Sequence, residues 1–518
     1  MIKKLLSILL VLMLALGTLG AASAEDGYPM DGDWELTIWC SMPALINPYV
    51  TNAAETPAIQ ELSRVTGVKL NFIHPTSGQE KENFNLLVAG GDIPDIMYMS
   101  SYAGGNTMGV EDGVYADLTD LVEEYMPHYY HYLSTDDEFR KLSTTEDGRV
   151  IAIYSYKDMV EPFWWRTQFR ADLLEEFGME EPCTIAEYEA FFEKVKETHP
   201  EITPFTLPND GLNGAFMCAW NFGIIQASNT ANFYLDGDKV QSGYYAPGMY
   251  EYLKLMHDWY EKGYISKDFM SEDPTTLFQT GKVACATGNG YEMFPTCKEL
   301  GIPITCGPYA RLNKGDKIHT LRHYWHNNGT ETFVSGKADK ERLAAILKFL
   351  DYGYTEEGIL TYNFGTEGFT WNEKDENGYP IYNDFMLNND KYPIANAECM
   401  LKVHAYATPR WRYGDGICMA TNQKDPENWA YRARWGDDPD VDNTYGLPPF
   451  VLSAEASERR AEIMNNVETH AKEMVLKYIT GAADLANFDA EYTQVLKNFG
   501  IEEAIEITQK GYEAYLAK

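Results

Sequence analysis

Strand-like and helix-like segments alternate along this chain of 518 residues as far as about residue 350. Hydrophobic periods of two residues indicate strands at 35–39, 68–73 and 95–99, and residues 58–66 indicate a helix between the first two. This order predicts parallel strands joined by a crossover helix, and it excludes an all-β sandwich. The length suits two or three domains. We therefore expect an α/β protein.

The middle of the chain continues the alternation. Thr184 and Glu187 form a capping-box pattern that predicts the start of a helix. Residues 233–240 predict a hairpin around Asp-Gly-Asp, residues 248–262 predict a helix, and residues 282–287 predict a strand. This pattern extends the α/β prediction to a second block of structure.

The last third is predicted to be mainly helical. Residues 340–352 and 453–480 carry apolar side chains at helical spacing, and a glycine follows each. Between them, residues 371–449 are rich in Asn, Asp, Gly, Pro and aromatic residues and lack a steady period. We expect that stretch to be irregular and to lie on the surface.

The amino terminus has the pattern of a secretory signal. Lys3 and Lys4 precede the apolar run 5–16, and the small residues 21–24 form an A-x-A-like cleavage site. An uncleaved membrane anchor is the alternative, but the turn-rich residues 25–27 favour cleavage after Ala24. The pattern predicts an exported protein that is soluble outside the cytoplasmic membrane.

Charge and cysteine spacing exclude several function classes. The chain has 78 acidic and 42 basic residues, a formal net charge of −36, which disfavours binding to nucleic acid or anionic lipid. None of the eight cysteines forms a C-x-x-C pair, so no zinc ribbon or thioredoxin-type site is predicted. The spacing leaves disulfide pairing open, and we interpret the cysteines mainly as small buried residues.

Motifs of catalysis and metal binding are largely missing. The sequence contains no nucleophile elbow, zinc-protease helix or phosphate-binding glycine loop in a suitable setting. His319, His323 and His326 would share one face of a helix, but their neighbours favour strand and turn. The acids at 438–442 alternate like a calcium loop, whereas Asn443 stands in place of the required glycine. We predict no cofactor and no metal site.

Aromatic residues are abundant, with 11 Trp, 36 Tyr and 23 Phe. Flat amphipathic rings pack well against sugar C–H faces, and ligands of open α/β sheets gather at the carboxyl ends of strands. Each ring could equally well be packed in a core or at its rim. Aromatic or polar residues follow three predicted strands, and these are Trp39, Ser41, Ser101, Tyr102, Asn289 and Tyr291.

Several segments resemble the extracellular solute-binding proteins of ABC importers, in the carbohydrate-binding group that includes the maltodextrin-binding proteins. One segment contains the G-D-x-P-D pattern, another resembles an R-K-D-L-L stretch, and the others lie in the last third. The segments are 84–96, 169–178, 350–358, 363–368, 478–481 and 509–512. The resemblance extends over essentially the whole chain after the signal.

This resemblance implies a periplasmic-binding-protein-like fold of type II, with two α/β lobes, a ligand cleft between them and a helical C-terminal region. It places 25–157 and 287–328 in lobe 1, and 158–286 and 329–518 in lobe 2. It further implies a monomer that closes on a ligand and presents it to permease subunits. A ligand that contacts both lobes would shift the population towards the closed form.

The resemblance also implies which residues contact the ligand. Trp39, Ser101 and Tyr102 would come from one lobe, and the other would supply Trp164, Trp165, Trp220 and Trp371. Asn289 and Tyr291 match the place where the maltodextrin-binding pattern carries a sugar-stacking aromatic residue. Trp325 and Ser41 complete the candidate set. For Trp164 and Trp165, packing within a hinge strand is the alternative.

Two family features are missing from the sequence. Many relatives have a lipobox cysteine at the cleavage site, but residues 17–24 contain no cysteine, so a lipid anchor is not expected. Some relatives have a calcium loop after the capped helix, whereas residues 196–204 lack its ligands. We expect no structural calcium there.

The leading hypothesis is a noncatalytic carrier that captures an oligosaccharide outside the cytoplasm, in the periplasm or at the cell surface. A carrier of peptides or other solutes is the alternative within transport. A secreted glycoside hydrolase would explain the same aromatic loops and surplus carboxylates, and surface adhesion or sensing would need no import partner.

Overall fold

The structure is a computed structural model. It describes residues 27–43, 46–77, 79–100, 102–103, 105–157, 165–222, 233–319, 325–327, 329–376, 378–391 and 445–518, with isolated positions between 397 and 442. The predicted signal, Ser101, Trp164 and His323 lie outside the described residues. The described residues form two compact units. Unit 1 falls within 1–159 and 325–424, and unit 2 falls within 160–324 and 425–518.

The strands, numbered in chain order, are β1 Trp34–Trp39, β2 Val68–Ile73, β3 Ile96–Tyr98, β4 Trp165–Arg170, β5 Thr203–Thr206, β6 Phe233–Asp236, β7 Lys239–Ser242, β8 Val283–Asn289, β9 Ile304–Cys306, β10 Ile318–His319, β11 Thr332–Val334, β12 Trp371–Lys374, β13 Pro380–Tyr382 and β14 Val441–Asp442. The α-helices are α1 Pro57–Thr66, α2 Glu80–Gly90, α3 Asn106–Glu111, α4 Val122–Tyr125, α5 Pro127–Thr135, α6 Asp137–Ser143, α7 Ala171–Phe177, α8 Ile185–Thr198, α9 Gly214–Met217, α10 Met249–Glu261, α11 Pro274–Gln279, α12 Gly290–Leu300, α13 Lys340–Asp351, α14 Glu356–Phe364, α15 Asp384–Leu387, α16 Ala454–Ile479, α17 Gln494–Phe499 and α18 Ile501–Ala517.

Unit 1 is built on a four-stranded sheet with the order β11-β3-β1-β2. Strands β2 and β3 both run parallel to β1, with Trp39 opposite Ile73 on one side and Met97 on the other. The returning strand β11 pairs antiparallel with β3. This confirms the predicted strand–helix–strand unit, with α1 as the crossover helix.

The Asp95 carboxylate joins three parts of unit 1. It accepts hydrogen bonds from the backbone and hydroxyl of Thr37 in β1, and from Arg342 in α13 at 2.7 Å. Burial alone would raise the pKa of Asp95, but the bonds from Arg342 and Thr37 outweigh it and lower the pKa. The second acid of the G-D-x-P-D pattern is thus a structural ion-pair residue.

Unit 2 is built on a second four-stranded sheet with the order β5-β8-β4-β9. Strands β5 and β8 are parallel, whereas β4 runs antiparallel to both β8 and β9. The capping box at the start of α8 is present, since the Thr184 hydroxyl accepts from the backbone N–H of Glu187 and the Glu187 carboxylate accepts from that of Thr184. The mixed helix and sheet content of both units confirms the predicted α/β class.

The unit boundaries differ from the expected lobes in two segments. Residues 287–324 belong to unit 2, because the end of β8 and all of β9 pair with β4. Residues 329–424 belong to unit 1, because β11 pairs with β3. Local patterns indicate that a strand exists but not which sheet it joins. The expected assignment of 287–328 to lobe 1 and 329–518 to lobe 2 is therefore corrected: 287–324 falls within unit 2, and 329–424 falls within unit 1.

Most other local predictions agree with the structure. The 233–240 hairpin forms as β6 and β7, and Ser453 caps α16, which ends before Gly481 at a φ of +76°. The described apolar residues 150–154 form no strand, and Ile153 makes an isolated bridge to Thr332. Among the described helices, none combines the length and apolarity needed to cross a membrane.

Candidate functional site

The carboxyl ends of β1, β2 and β3, with the residues that follow them, form what we call the unit 1 edge. An aromatic row lies beneath it. Trp39 packs against Phe84 with ring centroids 5.5 Å apart, Phe84 stacks on Tyr115 at 6.3 Å, and Tyr102 meets Tyr115 edge-on at 6.3 Å. The structure thus connects two predicted site residues, Trp39 and Tyr102, through core rings.

The predicted residues of this edge differ in accessibility. Trp39 is only 4% exposed, so it packs in the core and supports the residues of the edge. Tyr102 is half-buried, and its hydroxyl donates to the Asp112 carboxylate at 2.7 Å, which raises the pKa of Tyr102. Ser41 is exposed. Ser41 and Tyr102 are therefore the predicted residues that a ligand can reach here.

Met99 was missed by the sequence reasoning. It follows β3 with a φ of +50°, a left-handed conformation that is uncommon for residues other than glycine, and its side chain is 62% exposed. Its backbone N–H donates to the carbonyl of Glu331 at 2.7 Å. Local strain and an exposed apolar side chain at a strand end are features of binding sites. No sequence signal marks the position.

A half-buried acid, Glu331, anchors the loop that carries Met99 and Tyr102. Glu331 accepts a hydrogen bond from the Asn106 amide at 2.8 Å and from the Tyr154 hydroxyl at 3.4 Å. Burial raises the pKa of Glu331, and these two bonds oppose that effect. Since Asn106 begins α3, Glu331 fixes both ends of the connection from β3 to α3.

Cys40 and His74 lie side by side at the unit 1 edge but do not form a catalytic pair. The Nδ1 atom of His74 is 2.8 Å from the Cys40 carbonyl, and Nε2 is 3.1 Å from the Ala53 backbone nitrogen. A carbonyl requires a donor and a backbone N–H requires an acceptor, which assigns a neutral ring protonated at Nδ1. Burial lowers the pKa of His74 and raises that of the Cys40 thiol to about 12. The Cys40 thiol is thus un-ionised, and His74 has a structural role.

The carboxyl ends of β5 and β8, together with the start of β4, form the unit 2 edge. Half-buried Trp220 meets Tyr252 edge-on at 6.3 Å. The Tyr252 hydroxyl accepts from the Asn213 backbone at 3.0 Å, and the Asn213 amide donates to Thr287 in β8 at 3.0 Å. Through these contacts the structure connects Trp220 to the strand that ends in half-buried Asn289.

The remaining predicted site residues have mixed outcomes. Trp165 pairs through its backbone with Asn289, while its side chain and that of Tyr291 lie outside the described part. Trp325 is half-buried in unit 1. Trp371 lies in unit 1, not in the predicted second lobe, and is 4% exposed. Its indole donates to the Gly365 carbonyl at 2.8 Å, so its surroundings are those of a core residue.

A cavity of about 450 Å³, which we call the unit 2 cavity, has Arg311 in its lining. The preceding residue, Ala310, donates its N–H to the Ala215 carbonyl, two residues after Asn213 of the unit 2 edge. A short loop joins α8 to β5, so the amino terminus of α8 lies near the carboxyl end of β5. The chain leaving β9 passes the start of β4, where the Gly307 N–H donates to the Thr167 carbonyl. Charged residues dominate the lining and include Glu181, Glu187, Arg311, Lys314, Asp438 and Asp440.

Arg311 is the centre of the charges in this cavity. Its guanidinium pairs with Asp438 at 2.7 Å and with Asp440 at 3.0 Å, and the Arg311 and Asp438 side chains are 5% and 6% exposed. These are two of the alternating acids that resembled a calcium loop in the sequence. Their observed partner is an arginine, and among the described residues no group of His, Cys, Asp and Glu is arranged to hold a metal ion.

Glu187 borders the same cavity. Burial alone would raise its pKa, but hydrogen bonds from Lys314, from the Cys183 backbone and thiol, and from the Thr184 backbone lower the pKa to about 2. Burial, reinforced by Glu187, raises the pKa of the Cys183 thiol to about 11. The wall therefore presents an ionised carboxylate beside an un-ionised thiol.

Two of the three histidines at 319–326, His319 and His326, lie in the described part of the chain. His319 in unit 2 stacks on Tyr445 with centroids 4.0 Å apart. His326, assigned to unit 1, has its Nδ1 atom 2.6 Å from the Asp136 carboxylate. Each described histidine thus has its own local contact.

Comparison with known proteins identifies the type of chain. The family model described as bacterial extracellular solute-binding protein matches residues 58–373. The chain is 22% identical to the fructooligosaccharide ABC transporter substrate-binding protein FusA of Streptococcus pneumoniae, over 99% of this chain and 97% of that protein.

Solved structures give the same fold. The alginate-binding protein AlgQ2, solved without calcium ion, matches with a TM-score of 0.73 at 19% identity, over 94% of this chain and 99% of that one. FusA of S. pneumoniae in complex with kestose matches with a TM-score of 0.73 at 18% identity, over 93% and 99%. At such identities the likeness shows the fold of two-domain solute-binding proteins.

Proposed function

The chain belongs to the bacterial extracellular solute-binding proteins, and from this premise we propose that it captures an oligosaccharide outside the cytoplasm for an ABC importer. The observation that carries the proposal is the end-to-end similarity to FusA, a fructooligosaccharide-binding protein. Its relatives are named as substrate-binding proteins of ABC transporters, which supports a noncatalytic role here.

The two edges supply the groups that such a ligand needs. The unit 1 edge presents Tyr102 and Ser41, and the unit 2 edge presents Trp220 and Asn289 beside a charged cavity. Rings contribute apolar area against sugar C–H faces, while hydroxyl, amide and carboxylate groups bind sugar hydroxyls. The composition of both edges therefore supports a polyhydroxylated ligand.

We further propose that the ligand engages both units and that the loaded form is delivered to permease subunits. A ligand can shift a conformational equilibrium only through different affinities for the two states. Contacts with both units would supply that difference. The proposed location is extracytoplasmic, in accord with the family and with the signal pattern predicted at the amino terminus.

The test is a thermal-shift screen of the purified protein against oligosaccharides and peptides, followed by calorimetric titration of the hits. Binding to the native state raises the apparent stability, by about 2.7 kcal/mol at a ligand concentration of 100 times Kd. We expect one class of oligosaccharide to bind with one-to-one stoichiometry and to be recovered intact by chromatography. Binding of peptides alone, or cleavage of the glycan, would contradict the proposal.

A further inference from the structure

The charges of the unit 2 cavity narrow the ligand class beyond an oligosaccharide. We infer that this cavity holds a neutral sugar ring by its vicinal hydroxyls and discriminates against uronate rings. The inference rests on the proposed function. The cavity volume of about 450 Å³ lies within the range of roughly 300–1,000 Å³ typical of small-molecule sites.

Accessible acceptors and donors alternate on the cavity wall. The side chains of Asp440 and Glu187 are 31% and 33% exposed, and that of Lys314 is 72% exposed. Ionised carboxylates only accept hydrogen bonds, whereas the lysine ammonium only donates them. A hydroxyl does both, so vicinal hydroxyls are the ligand groups that match this wall.

Arg311 holds two acceptors of this wall in place. The side chain is 5% exposed, and its Nε–H has no hydrogen-bond partner among the described residues. Its other nitrogens are held by Asp438 and Asp440, which fixes the plane of the guanidinium. The Nε atom is itself buried, so a ligand meets the carboxylates that Arg311 holds and not this donor. Arg311 thus positions the two carboxylates on the cavity wall.

The charge balance of the lining disfavours an acidic ring. Five carboxylates and two cations line this wall, and both cations are already paired, Arg311 with two aspartates and Lys314 with Glu187 at 2.7 Å. Two further cations contact lining carboxylates, Lys317 at 3.6 Å from Asp440 and Arg434 at 2.6 Å from Glu181, so acids still outnumber cations by five to four. The carboxylates of the lining are Glu180, Glu181, Glu187, Asp438 and Asp440. A uronate would add a further negative charge to this partly desolvated wall, and repulsion of like charges is a means of discrimination.

The experiment is calorimetric titration of the full protein with two matched series, neutral oligosaccharides and oligosaccharides of the corresponding uronic acids. We expect neutral sugars to bind at least tenfold more tightly. Asp440→Asn removes one charge from the wall, and it should weaken neutral-sugar binding about tenfold, since hydrogen bonds to charged groups have roughly this effect. The same substitution should reduce the ratio of the affinity for neutral sugars to the affinity for uronates.

Two further variants keep the test decisive. Glu187→Gln retains a side chain suited to the capping box. It should reduce the preference for neutral sugars over uronates, as Asp440→Asn should, and it keeps the test valid if Asp440→Asn folds poorly. Glu458→Gln makes the same change in charge at an exposed position of α16 and should alter neither the affinity for neutral sugars nor the preference over uronates. Equal or tighter binding of uronates would overturn this inference and leave the proposed function standing. Cavity variants that behave like Glu458→Gln would do the same. Failure of every glycan to bind would overturn the proposed function together with it.

Discussion

The two sheet edges occupy equivalent places in their units but are built differently. At the unit 1 edge the largest rings, Trp39 and Tyr115, are buried in the core and connected in a row. At the unit 2 edge an ion-pair network around Arg311 borders an open cavity. The comparison teaches that a position at a strand end does not determine a residue's role. What packs over that position decides whether the side chain supports the site or contacts the ligand.

The largest effect should separate Trp39 from Tyr102 within one aromatic row. Trp39→Ala should lower the free energy of unfolding by about 4 kcal/mol, as expected for truncation of a fully buried tryptophan. Tyr102→Ala should cost about 1 kcal/mol and instead weaken oligosaccharide binding about tenfold, because its ring is accessible. Urea unfolding and calorimetric titration of both variants measure these effects. A binding defect in Trp39→Ala without loss of stability would reverse the assignment.

The Asp95–Arg342 pair should be the next most sensitive feature. Arg342→Met leaves the Asp95 carboxylate, 8% exposed, without its cation, and should cost about 3 kcal/mol, at the low end for buried pairs because Arg342 is partly exposed. The control is Arg64→Met, which breaks the exposed pair with Glu61 and should cost under about 1 kcal/mol. Equal losses in urea unfolding of both variants would show that Asp95 is not a structural hub of unit 1.

Loss of the cap of α8 should have a smaller effect, confined to unit 2. Thr184→Ala removes the acceptor for the Glu187 backbone N–H and should lower stability by about 1 kcal/mol. Thr184→Ser keeps the acceptor and should remain near the wild type. Thermal unfolding monitored by circular dichroism measures both. A similar loss in the serine variant would indicate packing of the threonine methyl group as the cause.

The last effect is the pH dependence that Glu187 contributes to stability. Its folded pKa of about 2 lies below the ordinary value of 4.5, so its stabilising contribution is present above about pH 4.5 and is lost as the pH falls towards 2. Glu187→Gln should therefore flatten the decline of unfolding free energy between about pH 5 and pH 2. An unchanged slope in urea titrations across that window would show that the carboxylate is not preferentially ionised in the fold.

Local sequence patterns predicted much of the fold but little of its assembly. The capping box, the 233–240 hairpin and α16 follow from short-range periodicity and caps, and these predictions are confirmed. Residues 287–289 and 332–334 each join a sheet through long-range pairing, and no local pattern encodes which sheet that is. The expected lobes differ from the two units at 287–324 and 329–424 for that reason.

The site shows the same limit. Sequence reasoning suggested Tyr102 because it follows a predicted strand, and the family resemblance suggested Trp220; both stay predictions. It could not show that Trp371 is buried, nor that Met99 adopts a left-handed conformation. It interpreted the acids around Asp440 as a failed calcium loop, whereas their partner, Arg311, is distant in the chain. Pairing of distant charges is a tertiary property.

Calorimetric titration of one neutral oligosaccharide into the wild type, Tyr102→Ala and Asp440→Asn tests the central claim most directly. We predict saturable one-to-one binding by the wild type and a loss of about tenfold in each variant, because one substitution alters the unit 1 edge and the other the unit 2 cavity. Affinity that is unchanged in both variants, or no binding of any oligosaccharide to the wild type, would contradict the account.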